Sequence, residues 1–174
     1  MNAPTRDPAR LFLALWPAEA QRQSLHDWQQ AVRWTPAARL TPAEHLHLTL
    51  HFIGPVPRIR LDELASGLAL AWDPIDLVLD RFSVWPRGIA VLEPGGRTPP
   101  ALQALHDALA QRLFGLDLPV ETRPFRPHVT LARRADGAKL VSDAGPQALR
   151  WRANAGHVLV ESAGGYRVLQ HFAA

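Results

Sequence analysis

One four-residue pattern, in which a histidine and a threonine alternate with apolar residues, occurs twice in this chain of 174 residues. The two copies are His47-Leu48-Thr49-Leu50 and His128-Val129-Thr130-Leu131. Because successive side chains of a β-strand point to opposite faces, each copy would place its histidine and threonine on one face. Two such strands, brought together, would present two imidazoles and two hydroxyls to one small anion. These groups are suited to metal-free acid–base chemistry on a phosphate.

Acid–base cleavage of a phosphate ester by water requires a base for the water, an acid for the departing oxygen, and hydrogen-bond donors for the charged oxygens. The unperturbed pKa of histidine is about 6.5, so one imidazole can be neutral while its partner is protonated. Thr49 and Thr130 would each donate a hydroxyl hydrogen bond to a phosphate oxygen. We therefore predict that His47, Thr49, His128 and Thr130 form one catalytic site.

The elements that must position these residues alternate between strands and helices. The first motif lies in a strand predicted for residues 44–53, whose polar and apolar residues alternate without a break and which Gly54 and Pro55 would close. The second motif lies in a strand predicted for residues 127–132. Further strands are predicted at 10–16, 75–85, 89–92, 157–162 and 166–172, and helices at 17–33, 58–71 and 102–113. Hairpins combined with helices indicate an α+β fold with antiparallel sheets.

The composition restricts the class of protein. With 47% hydrophobic and 20% charged residues, the chain has an ordinary globular balance, and its net charge of +3 does not imply a large nucleic-acid-binding surface. The absence of cysteine excludes disulfides and thiolate metal sites. Residues 1–10 lack the apolar core of a signal peptide, and the apolar run Leu11–Trp16 is too short to cross a bilayer, so we expect a cytoplasmic protein.

Five stretches of the sequence resemble a known family, and they follow one another in the same order over nearly the whole chain. They are RLFLALWP at 10–17, HLHLTLHFIG at 45–54, ALHDALAQRL at 104–113, RPFRPHVTLAR at 123–133 and LVES at 159–162. The chain resembles the 2H phosphoesterase superfamily, which takes its name from two His-x-Thr/Ser motifs. Within it, the chain is most similar to the bacterial RNA 2′,3′-cyclic phosphodiesterases, also called 2′-5′ RNA ligase-like proteins. One departure is the turn before Tyr166, which is shorter than this family leads us to expect.

The resemblance implies one bilobal domain, residues 1–174, with two antiparallel sheets that are flanked by helices and face a central cleft. Each lobe would contribute one His-x-Thr strand. The implied activity is hydrolysis of RNA 2′,3′-cyclic phosphate ends to 2′-phosphomonoesters, by a monomer and without a cofactor.

The resemblance also implies roles for individual residues. His47 would be the proton donor and His128 the proton acceptor. Arg133 is the implied cation for the phosphate, although strict alternation along the strand would point it away from His128. Phe125, just before the second motif, is a candidate for stacking on an RNA base.

Three other functions remain open at this point. A phosphodiesterase that acts on 2′-5′ linkages or on small nucleotide cyclic phosphates would use the same residues. A zinc-dependent hydrolase is chemically reasonable, because His45, His47 and His51 share one face of the predicted strand. That face offers no carboxylate, however, and zinc binding there would leave the second motif unexplained. A module that binds RNA ends without turnover is the third alternative, although binding alone would not require two histidines.

Overall fold

The computed structural model describes residues 7–174. Residues 1–6 lie outside the described part of the chain. They make up most of residues 1–10, the segment that was predicted to lack the apolar core of a signal peptide. The described residues form twelve strands and three α-helices. None of the described helices is long and apolar enough to cross a membrane. The helices are α1 (Glu19–Gln30), α2 (Leu61–Gly67) and α3 (Pro100–Gly115). The strands are β1 (Ala9–Leu15), β2 (Val32–Arg33), β3 (Arg39–Leu40), β4 (Leu48–Val56), β5 (Ile75–Leu79), β6 (Arg81–Trp85), β7 (Ile89–Glu93), β8 (Val129–Arg133), β9 (Lys139–Leu140), β10 (Leu149–Ala153), β11 (His157–Ser162) and β12 (Tyr166–Phe172).

The largest sheet is a hydrogen-bonded path in the order β12-β11-β1-β4-β8-β7-β6, with β3 also paired to β8. Each neighbouring pair along it is antiparallel. Its two central strands, β4 and β8, are joined by one residue pair, Leu48 with Val129. This pair divides the path into a first half-sheet, β12-β11-β1-β4, and a second half-sheet, β8-β7-β6 with β3. The predicted α+β fold with antiparallel sheets is confirmed, and the two half-sheets of the large sheet meet where the two motifs meet.

The main hydrophobic core takes residues from both half-sheets and from all three helices. It includes Leu48 of β4 and Leu131 of β8, together with Leu25, Leu64 and Leu109 from the helices. Burying a leucine side chain contributes about 1.5–3 kcal/mol relative to leaving it exposed. Because both motif strands are anchored in the same core, their polar faces are held in a fixed relation to each other.

Several predicted boundaries are wrong because the pairing partner of a strand cannot be read from local sequence. The strand predicted at 75–85 is two strands, β5 and β6, which belong to different sheets: β5 pairs with β10 and β6 with β7. The helix predicted at 58–71 is a 3-10 turn followed by the short α2. This helix ends at Gly67, where a side chain would collide with Leu116. The helix predicted at 17–33 ends at Gln30, and the chain continues into β2, which pairs with β9.

Candidate active site

The two motifs lie side by side at the centre of the large sheet. Each histidine stands one residue before its strand, β4 or β8, so the first motif strand begins at Leu48 and not at the predicted residue 44. Leu48 and Val129, the second residues of the motifs, form the pair that joins the half-sheets. The polar faces of both motifs line one cleft of about 480 Å³. The residues that the structure brings together there are His47, Thr49, His128 and Thr130.

Both imidazoles are held through the same ring atom. Nδ1 of His47 lies 2.7 Å from the carbonyl oxygen of His45, and Nδ1 of His128 lies 2.7 Å from the carbonyl oxygen of Arg126. Because a carbonyl oxygen only accepts hydrogen bonds, each Nδ1 carries a hydrogen, and each Nε2 is left as the atom that exchanges a proton. Nε2 of His47 lies 3.0 Å from Oγ1 of Thr49, from which a neutral ring accepts a hydrogen bond.

The surroundings of both imidazoles favour the neutral ring. Burial lowers the pKa of His47 to about 4, against an opposing effect of the hydrogen bond to His45. Burial also lowers the pKa of His128, and here the negative charge of Glu93 opposes the shift. Arg133 adds a positive charge that lowers both pKa values. At neutral pH both imidazoles of the free protein are therefore neutral.

Aromatic rings enclose His47. Trp16 stacks on its ring with centroids 5.1 Å apart and an interplanar angle of 4°. Tyr166 meets the same ring edge-on at 5.2 Å, and Phe12 lies at 4.9 Å. This apolar enclosure explains the strong effect of burial on the pKa of His47. These three residues were not predicted to be part of the site; the available signal was the family match of residues 10–17, a stretch that contains Phe12 and Trp16.

A bulge changes the face that β4 presents after the first motif. The register of β4 against β1 shifts between Thr49 and His51, so that Leu50 is the extra residue. His51 is consequently buried, with 2% of its surface exposed, and its Nε2 lies 2.8 Å from the carbonyl oxygen of His106. Phe52, predicted to point inward, is 63% exposed and lines the cleft. The prediction of unbroken alternation is therefore wrong beyond Leu50.

The bulge also overturns the proposed zinc ligands. His45 and His47 line the cleft, but His51 lies on the buried side of the strand. His45 packs against the ring of Tyr166 at 4.8 Å. In residues 7–174, no group of three or more potential ligands among His, Cys, Asp and Glu is arranged to hold a metal ion. The three histidines of the first strand thus do not form a ligand set.

A second bulge, at the same position of the second motif, brings Arg133 into the site. The register of β8 against β7 shifts between Thr130 and Ala132, so that Leu131 is the extra residue. Leu131 and Ala132 are both buried, and Arg133 points outward and lines the cleft with His128. Strict alternation would have turned Arg133 away, and the bulge corrects its direction. Arg133 and Phe52 therefore hold equivalent places, two residues beyond the fourth residue of each motif.

Phe125 lies beside the cleft, in a second cavity of about 260 Å³ that we call the side cavity. Thr49 and His128 line both spaces, so the side cavity adjoins the site. The half-buried ring of Phe125 stacks on His106 with centroids 4.1 Å apart and an interplanar angle of 14°. Trp85, which was not predicted to be part of the site, lines both spaces. Its ring packs against the ring of His128, with centroids 4.3 Å apart.

An α+β fold with antiparallel sheets is what the sequence resemblance implied, and comparison with known proteins agrees with this fold. The model of the 2′-5′ RNA ligase superfamily matches residues 16–165. The chain therefore belongs to the 2′-5′ RNA ligase superfamily, the 2H phosphoesterases.

Particular relatives within this superfamily are also similar over most of their length. The RNA 2′,3′-cyclic phosphodiesterase of Escherichia coli is 35% identical over 143 residues, which cover 80% of each chain. The crystal structure of E. coli LigT in its apo form superimposes with a TM-score of 0.79 at 29% identity and covers 96% of this chain and 98% of LigT. The structure of LigT complexed with 3′-AMP gives a TM-score of 0.80 at 27% identity, covering 95% and 98% of the two chains.

Proposed function

We propose that this protein hydrolyses the 2′,3′-cyclic phosphate at RNA ends and leaves a 2′-phosphomonoester. The observation that carries the proposal is that two imidazoles share one cleft, each fixed through Nδ1 so that Nε2 can exchange a proton. The activity of the E. coli relative, a 2′,3′-cyclic phosphodiesterase with 35% identity, supports it.

The reaction assigns one task to each polar side chain of the cleft. His128 takes a proton from the attacking water through Nε2, and His47 gives a proton to the departing 3′-oxygen of the ribose. Thr49 and Thr130 donate hydrogen bonds to the phosphate oxygens, and Arg133 balances the negative charge that grows in the transition state. Each of the two proton transfers accounts for about 10²–10⁴ in rate.

The pKa values imply that substrate binding completes the site. A proton donor must carry its proton, yet burial lowers the pKa of His47 to about 4 in the free protein. An anionic phosphate bound between the imidazoles would favour the protonated ring and offset the positive charge of Arg133, so both effects would raise the pKa of His47. We infer that His47 takes up its proton when the substrate binds, and that the two ionisations belong to the coupled pair.

Phe125 and the side cavity give the site a place for the base next to the cyclic phosphate. Stacking on an aromatic ring contributes about 1–3 kcal/mol per base and is largely independent of sequence. The side cavity offers the rings of Phe125, Trp85 and Phe52 directly beside Thr49 and His128. We propose that this arrangement selects an RNA end over a cyclic phosphate that lacks a base.

A product analysis tests the proposed function. A short RNA with a 2′,3′-cyclic phosphate end is incubated with the protein in EDTA, and the product is identified by phosphorus NMR. We expect a 2′-phosphomonoester and no inhibition by EDTA. A 3′-phosphate would show that either the orientation of the ribose or the assignment of donor and acceptor to His47 and His128 is inverted. Turnover of a 2′-5′-linked dinucleotide, with the cyclic phosphate left intact, would refute the proposal in favour of the alternative diesterase.

A further inference from the structure

A buried carboxylate that the proposed reaction does not use lies behind the second motif. Glu93, at the end of β7, has 1% of its surface exposed. It accepts hydrogen bonds from Nε and Nη2 of Arg126 at 2.9 and 3.0 Å, from Oγ of Ser83 at 2.7 Å and from Nε of Arg81 at 3.3 Å. Burial raises the pKa of Glu93, but the hydrogen bonds from Arg126 and Ser83 outweigh it and lower the pKa below its usual value. Glu93 is therefore a fixed negative charge.

The strongest partner of this charge, Arg126, reaches His128 by two routes. Its backbone carbonyl accepts the hydrogen bond from Nδ1 of His128 at 2.7 Å. Its guanidinium lies over the ring of Trp85, 4.2 Å from the centroid, and Trp85 in turn contacts the His128 ring at 4.3 Å. Glu93 and Trp85 hold the guanidinium of Arg126, and the carbonyl of the same residue holds the His128 ring. Arg126 thus connects Glu93 to the position of the imidazole.

His47 is held differently although its ring makes the same backbone hydrogen bond. Its carbonyl partner belongs to His45, whose ring packs on Tyr166. The nearest ring to His47 itself is that of Phe12. The charged or titratable groups that act on His128 are Glu93 from β7, Arg126 and Arg133 from its own segment, and His47, which stands just before β4. Glu93 is the group among them that favours a protonated His128.

We propose that Glu93 is a positioning residue: by clamping Arg126 it orients His128 and sets the proton affinity of that imidazole apart from the proton affinity of His47. The inference rests on the proposed function, since it assigns Glu93 a part in the same proton transfer. Glu93 lines neither the cleft nor the side cavity, and it acts on His128 through Arg126 and through its own negative charge.

The pKa of His128, measured by NMR titration of the free protein, tests the inference without any substrate. Glu93→Gln keeps the shape of the side chain and removes its charge, so the pKa of His128 should fall by about one unit. Arg126→Gln removes the cation and keeps the backbone carbonyl, so the same pKa should rise. Arg81→Ala is the matched control, because Arg81 bonds Glu93 without reaching His128; it should leave the pKa unchanged.

The pH–rate profile provides the second measurement. The limb that reports deprotonation of the base should move to lower pH in Glu93→Gln and to higher pH in Arg126→Gln, with kcat reduced about tenfold in both variants. Equal shifts in Glu93→Gln and Arg81→Ala, or a His128 pKa that neither Glu93→Gln nor Arg126→Gln changes, would overturn the inference. If Glu93→Gln does not fold, the sign of the Arg126→Gln shift decides. If the variants show the expected NMR shifts but the wild-type protein does not turn over RNA, the proposed function alone is refuted.

Discussion

The two motif strands share one backbone design and differ in what surrounds it. In each, Nδ1 of the histidine bonds the carbonyl two residues earlier, and the fourth motif residue is a bulge. Around His47 the structure places aromatic rings, whereas around His128 it places an ion pair and one tryptophan. The motif thus determines which ring atom exchanges a proton, and the surroundings determine how readily each ring holds one.

Removing either imidazole tests the part that the strands share and should have the largest effect. We expect His47→Ala and His128→Ala each to lower kcat by about 10²–10⁴, because each deletes one of two proton transfers. His26→Ala, at an exposed position of α1, is the matched control and should behave as the wild type. Steady-state rates with an RNA cyclic phosphate, with thermal unfolding as a check on the fold, measure this. Near-full activity in either variant would disprove the acid–base assignment.

Phe52 and Arg133 hold equivalent places beyond the two bulges, and replacing them should have a smaller effect on the rate than removing an imidazole. Arg133→Ala should lower kcat/KM by about 10²–10³, because it removes a charge placed to stabilise the transition state. Phe52→Ala removes an exposed ring from the same cleft and should change kcat/KM by less than about tenfold. Parallel kinetics on the two variants test whether the bulge of β8 delivers a functional cation. Equal losses in both would show that Arg133 contributes surface and not charge.

The aromatic enclosure of His47 should produce the smallest change in rate and a clear change in pKa. Trp16→Ala admits water to the ring, so the pKa of His47 should rise from about 4 toward its ordinary value of about 6.5. The alkaline limb of the pH–rate profile should then move to higher pH, since the proton donor keeps its proton longer. Tyr166→Phe retains the ring and should leave the pKa unchanged. NMR titration of both variants measures the shift, and an unaltered pKa in Trp16→Ala would contradict burial as its cause.

The sequence predicted the parts of the site that depend on period and composition. The pairing of His47 with Thr49 and of His128 with Thr130 follows from the two-residue period of a strand, and the structure places all four in one cleft. The bulges lie outside such reasoning, because an extra residue is defined by the neighbouring strand. The bulge of β4 places His51 and Phe52 on the sides opposite to those predicted.

Contacts between distant segments escaped the sequence analysis for a related reason. Glu93 and Arg126 are 33 residues apart, and no local pattern connects them. The enclosure of His47 brings together Phe12 of β1 and Tyr166 of β12, two strands that are distant in the sequence and flank β11 in the folded sheet. The division of residues 75–85 into two strands likewise depends on their partners, β10 and β7.

The residue pair Leu48–Val129 gives the site a local two-fold axis, because an antiparallel pair looks the same from either strand. On one side of this pair His47 lies opposite Thr130, and on the other side Thr49 lies opposite His128, so the four polar residues of the motifs form a palindrome. A phosphorus atom on the axis would meet the same groups from both directions. In the proposed reaction, the choice between a 2′- and a 3′-phosphate therefore has to come from the unlike walls on either side of the axis.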